Sequence, residues 1–381
     1  MKPLCLTLIL MLPFAGNAGW GPDTKLSTNE VAAVLNENMG QCIAANGTAV
    51  HVVWSDMGIN SGTVFYKRSP DGGITWGADT RLPGDAGHDC NALLAVSGSN
   101  VHVVFIRNAG TPQAASYYKR STDGGATWGP DVLLGNTKWW PGVAAAGDMV
   151  YVSLNTMVDA TNSEVFFRRS TDNGKTWEPQ QQISNAPGRS EDPAIAAAGD
   201  NVYLVWNDNR DTPEDPATHH RKGMAVYYRR SLDKGVTWGP ETALTHAPDF
   251  TYFPAISLSG SNVDIAYGDR QTEHYDIYHL HSTDYGTTWA PKEQITHSPT
   301  DVFYPMVVRD GLNVNLTWSS PAGLMYQHSG NGGASWEPAV VLTSKGSFAF
   351  MATAGDVMHL IFRSQRDGHG AIYYKRNPSG N

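Results

Sequence analysis

The chain is organised around one eight-residue stretch, Ser121-Thr122-Asp123-Gly124-Gly125-Ala126-Thr127-Trp128, which occurs six times. The other copies begin at Ser69, Ser170, Ser231, Ser282 and Ser329, and each ends on a tryptophan. Successive copies start 52, 49, 61, 51 and 47 residues apart. A recurrent spacing of about 50 residues indicates that one supersecondary unit is repeated along the chain.

The stretch has the composition of a tight turn between two strands. Its aspartate can accept hydrogen bonds from nearby backbone amides, and its fifth residue, a glycine in every copy, tolerates a left-handed backbone angle. The tryptophan is large and apolar, so we expect it to pack between neighbouring units. We therefore interpret the recurring aspartates as structural groups, not as catalytic ones.

Alternating apolar segments surround each turn. One precedes the turn by about 15 residues, as at 50–54, 101–105, 202–206 and 263–267, and another leads directly into it. A short strand of small residues comes first, and a fourth strand follows the turn. No amphipathic helix is evident. Four antiparallel strands per repeat, arranged in a ring, predict an all-β protein with the fold of a β-propeller.

The number of blades is given by the strand pairs, of which there are seven. The seventh ends at Asn377-Pro378-Ser379-Gly380-Asn381 without a fourth strand. The segment Gly19-Trp20-Gly21-Pro22 resembles the end of the turn in other repeats, as in Trp128-Gly129-Pro130. We therefore predict seven four-stranded antiparallel blades, with the last blade closed by the N-terminal strand. Such closure removes exposed sheet edges.

The first 18 residues have the pattern of a secretory signal peptide. Lys2 precedes an apolar run that is too short to span a bilayer, and small residues end at Ala18. We expect residues 1–18 to be a leader and residues 19–381 to be one propeller domain, soluble, monomeric and secreted or periplasmic. The formal net charge of −9 argues against nucleic-acid or anionic-membrane partners.

Two cysteines follow the leader. Cys42 and Cys90 fall at the start of the same strand in adjacent repeats. In an exported chain this placement permits one disulfide. Two buried free thiols are the alternative interpretation.

Alternating strand directions sort the loops onto two faces. The turns formed by the repeated stretch, which we call the acidic turns, share one face with the loops between strands one and two of each blade. We therefore expect any functional site on the opposite face, near the axis. Six arginines fall in loops of that face and predict a basic centre suited to an anionic sugar: Arg107, Arg189, Arg210, Arg270, Arg363 and Arg366. The alternative is a set of loop salt bridges, because Asp208, Asp269 and Asp367 adjoin three of them.

The same loops offer carboxylates and aromatic rings. Glu191, Asp192 or Asp208 is the candidate acid or base, and Tyr304 or Tyr252 the candidate nucleophile. Trp139 and Trp140, with these tyrosines, are candidates for stacking on sugar rings, although a propeller also packs aromatic residues for structural reasons. The histidines of these loops show no ligand spacing, so we predict neither a metal nor another cofactor.

The repeated Ser-x-Asp-x-Gly-x-Thr-Trp turn resembles the Asp box, or bacterial neuraminidase repeat, of the sialidase superfamily. The resemblance covers nearly the whole chain after the leader and implies a carbohydrate-active propeller. Two features depart from true sialidases: no arginine precedes Arg68, whereas the family's first arginine lies before the first box, and sialidases have six blades. The motif Arg81-Leu82-Pro83 follows the first box and lies on an outer strand.

Two functions from different classes remain open. The first is an exported glycoside hydrolase or lyase that acts on a terminal or acidic sugar. The second is a non-catalytic propeller that binds a glycan or a protein.

Overall fold

The computed structural model describes residues 19–28, 32–35, 40–58, 62–82, 88–137, 139–212, 223–246, 250–271 and 273–380. These residues form seven antiparallel sheets, each with four strand positions, and no helix. The predicted seven-bladed β-propeller is therefore confirmed. The predicted leader, residues 1–18, lies outside the described residues, and its removal and the single-domain boundaries stay predictions. Within the described part of the chain, no helix is long and apolar enough to cross a membrane.

The strands follow the chain order from the inside of each blade outward. Blade one comprises β2 (Ala33–Val34) and β3 (Ile43–Asn46), which both pair with β4 (Ala49–Asp56), then β5 (Thr63–Ser69) and β6 (Thr80–Arg81). Blade two comprises β7 (Asp89–Ser97), β8 (Asn100–Arg107), β9 (Ala115–Ser121) and β10 (Val132–Asn136). Blade three comprises β11 (Trp139–Ala146), β12 (Met149–Met157), β13 (Ser163–Ser170) and β14 (Gln181–Gln182).

The remaining blades repeat this order. Blade four comprises β15 (Ser190–Ala198), β16 (Asn201–Asp208), β17 (Ala225–Ser231) and β18 (Thr242–Ala243). Blade five comprises β19 (Tyr252–Ser259), β20 (Asn262–Asp269), β21 (Asp276–Ser282) and β22 (Glu293–Gln294). Blade six comprises β23 (Phe303–Asp310), β24 (Asn313–Ser320), β25 (Gly323–Ser329) and β26 (Val340–Thr343).

Blade seven is built from both ends of the chain. It comprises β27 (Gly346–Ala354), β28 (Val357–Ser364), β29 (Ala371–Asn377) and, as its outer strand, β1 (Thr24–Lys25). Thr24 pairs with Tyr374 and Lys25 with Tyr373 in antiparallel register. The N-terminal strand therefore closes the ring, as predicted from the sequence.

Each acidic turn is held by its own side chains. In the turn of blade two, Ser121 Oγ donates to Asp123 Oδ1 (2.7 Å) and accepts from the amide of Gly125 (2.8 Å). The amide of Thr127 donates to Asp123 Oδ1 (2.8 Å), and Thr127 Oγ1 donates to Asp123 Oδ2 (2.6 Å). The hydrogen bonds from the hydroxyl and amide of Thr127 hold the pKa of Asp123 far below its usual value. Both carboxylate oxygens of this turn therefore serve the fold.

The turn also clamps the preceding blade. Gly125 has φ +84°, and a Cβ at this position would lie 1.8 Å from the hydroxyl of Tyr66 in blade one. Trp128 packs edge-on against the same tyrosine, with ring centroids 4.9 Å apart. Five further turns repeat the contact between this glycine and a ring on the preceding blade: Gly73 with Tyr374, Gly174 with Tyr118, Gly235 with Phe167, Gly286 with Tyr228 and Gly333 with His279. Glycine is therefore required at this position both because a Cβ would clash with the neighbouring ring and because the backbone angle φ is positive.

Hydrogen bonds between turns confirm the assignment of faces. The amide of Gly72 donates to Thr48 O (2.7 Å), and the amide of Gly124 donates to Ser99 O (2.8 Å). Thr48 and Ser99 lie in the hairpins between the first and second strands of their blades. The acidic turns and these hairpins therefore share one face, and the starts of the inner strands lie at the other end of the blades.

Cys42 and Cys90 are both buried and do not form the disulfide that their placement permits. Cys42 Sγ donates to the carbonyl of Ala92, at 3.5 Å, across the boundary between blades one and two. Burial raises the pKa of Cys90 to about 12, so this thiol stays protonated at neutral pH.

Candidate functional site

A bulge near the start of the inner strand recurs in six blades. In blade four the register shifts between Glu191 and Ala194, and equivalent shifts occur in blades two, three, five, six and seven. We call the first residue of each bulge the bulge position and the six together the bulge ring: Asn91, Trp140, Asp192, Phe253, Tyr304 and Phe348. A bulge bends its strand and redirects a side chain, and bulges are frequent beside functional sites.

The backbone is left-handed at five of the six positions of the bulge ring. Asp192 has φ 54°, Phe253 51°, Tyr304 59° and Phe348 50°, and Asn91 is similar at 54°. This left-handed region is unfavourable for bulky residues. Conformations of this kind persist only where the surrounding structure imposes them, and they cluster at functional sites. The rings of Phe253 and Tyr304 lie 5.1 Å apart, and those of Tyr304 and Phe348 only 4.0 Å apart. The bulge ring is therefore aromatic across blades five, six and seven.

Asp192 introduces a carboxyl group into this ring. Its side chain is 8% exposed. Asn207 Nδ2 donates to Asp192 Oδ2 (3.0 Å), while Oδ1 is buried without a partner among the described residues. Burial, with a smaller contribution from the charge of Glu191, raises the pKa of Asp192 to about 7, against the opposing hydrogen bond from Asn207. A carboxyl group with this pKa can both donate and accept a proton at neutral pH.

Asn207 is held in place for this contact. It lies on β16, pairs with Glu191 across the sheet and is fully buried. The hydroxyl of Thr251 lies 3.3 Å from Asn207 Oδ1, but its single proton has a closer acceptor in Met224 O, at 2.8 Å. The amide nitrogen of Asn207 is therefore assigned by its hydrogen bond to Asp192.

The other two candidate carboxylates have different surroundings. Glu191 lies 3.6 Å from Arg189 Nη1 and accepts from Ser163 Oγ at 3.4 Å. Asp208 is 1% exposed and accepts hydrogen bonds from Ser190 Oγ, Trp206 Nε1 and two nitrogens of Arg210. With both of its oxygens occupied by protein donors, Asp208 is not placed to act as the acid or base that the sequence suggested.

Three of the six candidate arginines do not contribute to a central basic site. Arg107, Arg210 and Arg366 each lie over a tyrosine of the third strand, with 4.4, 4.4 and 4.2 Å between guanidinium carbon and ring centroid. Each also pairs with an acid just before the outer strand, namely Asp131, Glu241 and Asp23. Arg107 and Arg210 have a second acidic partner each, Asp89 and Asp208, so their charges are engaged within their own blades.

The remaining three arginines lie elsewhere. The side chain of Arg189 is 41% exposed beside Glu191. Arg270 is exposed, with its guanidinium carbon 5.6 Å from the ring centroid of Tyr275. Arg363 pairs with Ser347, the residue directly before the bulge position of blade seven, and its Nε is buried without a partner among the described residues. Of the six, Arg363 is therefore the one in register with the bulge ring.

The candidate aromatic residues divide in a similar way. Tyr304 and Trp140 occupy bulge positions. Tyr252 and Trp139 each lie one residue before the bulge position of their own blade. Tyr252 packs against Tyr275, with centroids 4.5 Å apart, and its hydroxyl is buried without a partner in the described part of the chain. Burial is the main cause that raises the pKa of Tyr252 strongly, and the neighbouring Tyr275 is the next largest cause. Since a nucleophilic phenol must lose its proton, this environment does not favour Tyr252 as a nucleophile.

Sequence reasoning missed Asn91, Phe253, Phe348 and Asn207. A usable signal was present for part of the ring, because four bulge positions are directly followed by proline: Trp140, Asp192, Phe253 and Tyr304. Within the described ranges, no group of three or more His, Cys, Asp or Glu side chains is arranged to bind a metal ion.

One known protein family matches the sequence directly. The model of the BNR/Asp-box repeat matches residues 168–179, which include the turn of blade three. The protein is a seven-bladed β-propeller, and one of its six repeated turns matches the model of this repeat. The predicted resemblance of the repeated turn to the Asp box is thereby confirmed. Among curated proteins, no sequence matches the chain.

Solved structures with the same fold include carbohydrate-active enzymes. An ulvan lyase of polysaccharide lyase family PL25 shares 12% identity over 90% of this chain and 94% of its own, with a TM-score of 0.61. The polysaccharide lyase Uly1 shares 10% identity over 89% of this chain and 90% of its own, with a TM-score of 0.62.

A glycosidase has a similar fold. An α-L-arabinofuranosidase from Fusarium graminearum, in complex with an iminosugar inhibitor, shares 15% identity over 73% of this chain and 89% of its own, with a TM-score of 0.53. Identities this low establish a common fold only. The three similar structures named here are lyases and an arabinofuranosidase, not sialidases.

Proposed function

We propose that this protein is an exported carbohydrate-active enzyme that cleaves a glycan at the bulge ring, with Asp192 as general acid or base. The observation that carries the proposal is the buried carboxyl of Asp192, with a pKa of about 7, at a left-handed position of the bulge ring, which also carries Phe253 and Tyr304. Both glycoside hydrolysis and β-elimination require proton transfer at the sugar, and a group that titrates near the working pH is suited to it. The similar folds of polysaccharide lyases and an arabinofuranosidase support this class of substrate.

The aromatic half of the ring supplies a surface for sugars. Phe253, Tyr304 and Phe348 form a contiguous set of rings, and sugar C–H faces pack well against such surfaces. Arg363, in register with this half, is the candidate to bind an anionic substituent such as a uronate carboxylate, because its planar fork matches a carboxylate. We therefore favour a substrate that contains an acidic sugar.

Activity measurements on the wild type and Asp192→Asn test the proposal. Polysaccharides that contain neutral sugars, uronates or sialic acid are incubated with each protein, and reducing ends and unsaturated uronate products are measured across pH. We expect turnover by the wild type with a pH midpoint near 7 and a loss of about 100-fold or more in Asp192→Asn. Asp310→Asn is the control, because Asp310 is an exposed carboxylate at the end of β23. Undiminished turnover by Asp192→Asn would refute the assignment.

The charge preference has its own test. Arg363→Ala should raise KM for uronate-containing substrates and leave that for neutral substrates unchanged. Arg107→Ala is the matched control, because its guanidinium is engaged by Asp89 and Asp131. An equal effect of Arg363→Ala on both substrate classes would contradict a role in binding the acidic group.

A non-catalytic glycan-binding propeller is the second candidate. It is favoured by the state of the other carboxylates, since Asp208 is enclosed by donors and Glu191 lies beside Arg189, whereas hydrolysis commonly uses two carboxyl groups. Glycan binding by the wild type without product from any polysaccharide would establish this alternative.

A further inference from the structure

A cavity of about 550 Å³ opens between blades two and three, beside the bulge ring. Its wall includes Asn91 of the bulge ring, Ile106 near the end of β8, Trp139 at the start of β11, and Thr156 and Met157 at the end of β12. This volume lies within the usual range of small-molecule sites and is large enough for a sugar residue. Since Asn91 belongs to both features, the cavity adjoins the bulge ring.

The lining of the cavity is uncharged. Among the described residues it consists of apolar side chains, threonines and asparagines, with no Asp, Glu, Lys, Arg or His. Arg107 directly follows Ile106, but its guanidinium is held over Tyr117 and paired with Asp89 and Asp131. The charge of Arg107 is therefore engaged outside the cavity, and the described lining residues offer an anionic ligand no ion pair.

The polar groups of the wall suit a ligand with hydroxyl groups. Thr137 Oγ1 donates to Asn155 O (2.8 Å), and Thr156 Oγ1 donates to Asn136 O (3.0 Å). Because these hydroxyl protons are used, the oxygens face a ligand as acceptors. The side-chain amide of Asn91 makes no hydrogen bond to a described residue and offers both a donor and an acceptor. Ile106, Met157 and the indole of Trp139 supply the apolar surface.

We propose that this cavity is a subsite for a neutral sugar residue, next to the position at which the glycan is cleaved. The inference rests on the proposed function for its place in a reaction, but binding can be measured separately. A neutral sugar presents hydroxyl groups at its edge and C–H groups on its faces, which matches threonine and asparagine beside an indole. The substrate then combines an acidic unit at the bulge ring with a neutral unit in the cavity.

Binding measurements on the full chain, in the wild type and in Asp192→Asn, test the subsite. Neutral xylo-, arabino-, galacto-, manno- and gluco-oligosaccharides and oligouronates are titrated by calorimetry. Trp139→Ala should weaken binding of the neutral ligand about tenfold, as expected from the loss of about 1.4 kcal/mol. Thr156→Glu, which brings a carboxylate into the wall, should weaken it at least as much. Val158→Glu is the matched control, because Val158 is 47% exposed and does not line the cavity.

The outcomes separate the two proposals. Loss of neutral-sugar binding in both cavity variants, with Val158→Glu unchanged, supports the subsite even if no polysaccharide is cleaved. Turnover that depends on Asp192, with binding and KM unaffected by Trp139→Ala and Thr156→Glu, overturns the subsite and leaves the proposed function standing. Absence of binding to every neutral oligosaccharide also overturns it.

Discussion

Trp20 packs edge-on against Tyr326, with ring centroids 5.4 Å apart and ring planes at 82°. The tryptophans of the six acidic turns make the same contact with the preceding blade, as Trp128 does with Tyr66. The amide of Gly21 donates to Arg376 O (2.8 Å), just as the amide of Gly129 donates to Arg120 O (2.9 Å). Trp20 is therefore the tryptophan of a seventh turn, whose other half follows β29 at the C-terminal end of the described chain. We call it the split turn.

Trp20→Ala should destabilise the protein markedly. The side chain is 5% exposed, and removing a buried tryptophan typically costs about 3 to 5 kcal/mol. Denaturant unfolding measures the change in unfolding free energy. Leu133→Ala is the control, since Leu133 is 54% exposed and its removal should change stability by less than about 0.5 kcal/mol. Equal midpoints for the two variants would show that the split turn does not support the ring.

Substitutions at two glycines distinguish the steric requirement for glycine from the requirement for its backbone conformation. Gly125→Ala should lower the unfolding free energy by more than about 3 kcal/mol, because the new methyl group meets Tyr66 and the left-handed backbone is also unfavourable. Gly147→Ala should cost only about 1 kcal/mol, since its φ is +59° and nothing lies within 4 Å of the added carbon. Thermal unfolding of both variants provides the comparison. A similar loss in both would mean that the turn gives way to accommodate the methyl group.

A buried ion pair between blades five and six should make stability fall in acid. Asp264 accepts hydrogen bonds from Arg309 and lies 2.8 Å from His279 Nε2. Burial opposes ionisation of Asp264, but these partners outweigh it and hold its pKa below the usual value. The resulting stability is present above the unfolded-state pKa of about 3.9 and is lost as pH falls below it.

Asp264→Asn tests this ion pair. At pH 7 the variant should be about 3 to 5 kcal/mol less stable than the wild type, because Arg309 is left buried without its counter-charge. The difference should shrink as the wild type is acidified below about pH 4. Urea denaturation at several pH values measures it, with the exposed-site variant Asp310→Asn as control. A difference independent of pH would argue against an ionised Asp264.

Asp192 should give the folded protein a pH dependence of stability opposite to that caused by Asp264. Its pKa is raised to about 7, so between about pH 4 and pH 7 the folded protein keeps a proton that the unfolded chain has lost. The stability contributed by this proton therefore declines as pH rises through that window. Asp192→Asn cannot lose such a proton, so the stability of the variant relative to the wild type should increase from pH 4 to pH 7. Parallel pH profiles for the two proteins would contradict the raised pKa.

The architecture could be read from local patterns because each blade repeats them. The recurring tryptophan gives the unit, and Trp20-Gly21-Pro22 gives the closure, since both depend on residues near one another in sequence or on a copied motif. The assignment of faces is then set by the alternating strand directions.

The candidate site was less predictable because its geometry depends on backbone conformations that the residue types do not indicate. Phe253, Tyr304 and Phe348 adopt a backbone region that sequence rules reserve for glycine and asparagine, and only the tertiary structure imposes it there. The positions of the arginines were hard to predict because Arg107 and Arg366 pair with Asp131 and Asp23, which directly precede outer strands and, for Asp23, lie at the far end of the chain. For Arg210, the nearby Asp208 is a partner, as the alternative of loop salt bridges predicted.

The split turn also decides what can be attached to this protein. Gly19 lies against Asn377, and Gly380 lies against Asp356 in the hairpin between β27 and β28, so both described ends emerge on the face of the acidic turns. A fusion partner, purification tag or surface tether joined at either end would leave the bulge ring and its neighbouring cavity facing the other way. The molecule can therefore be immobilised by its described ends with the bulge ring and the cavity turned toward solution.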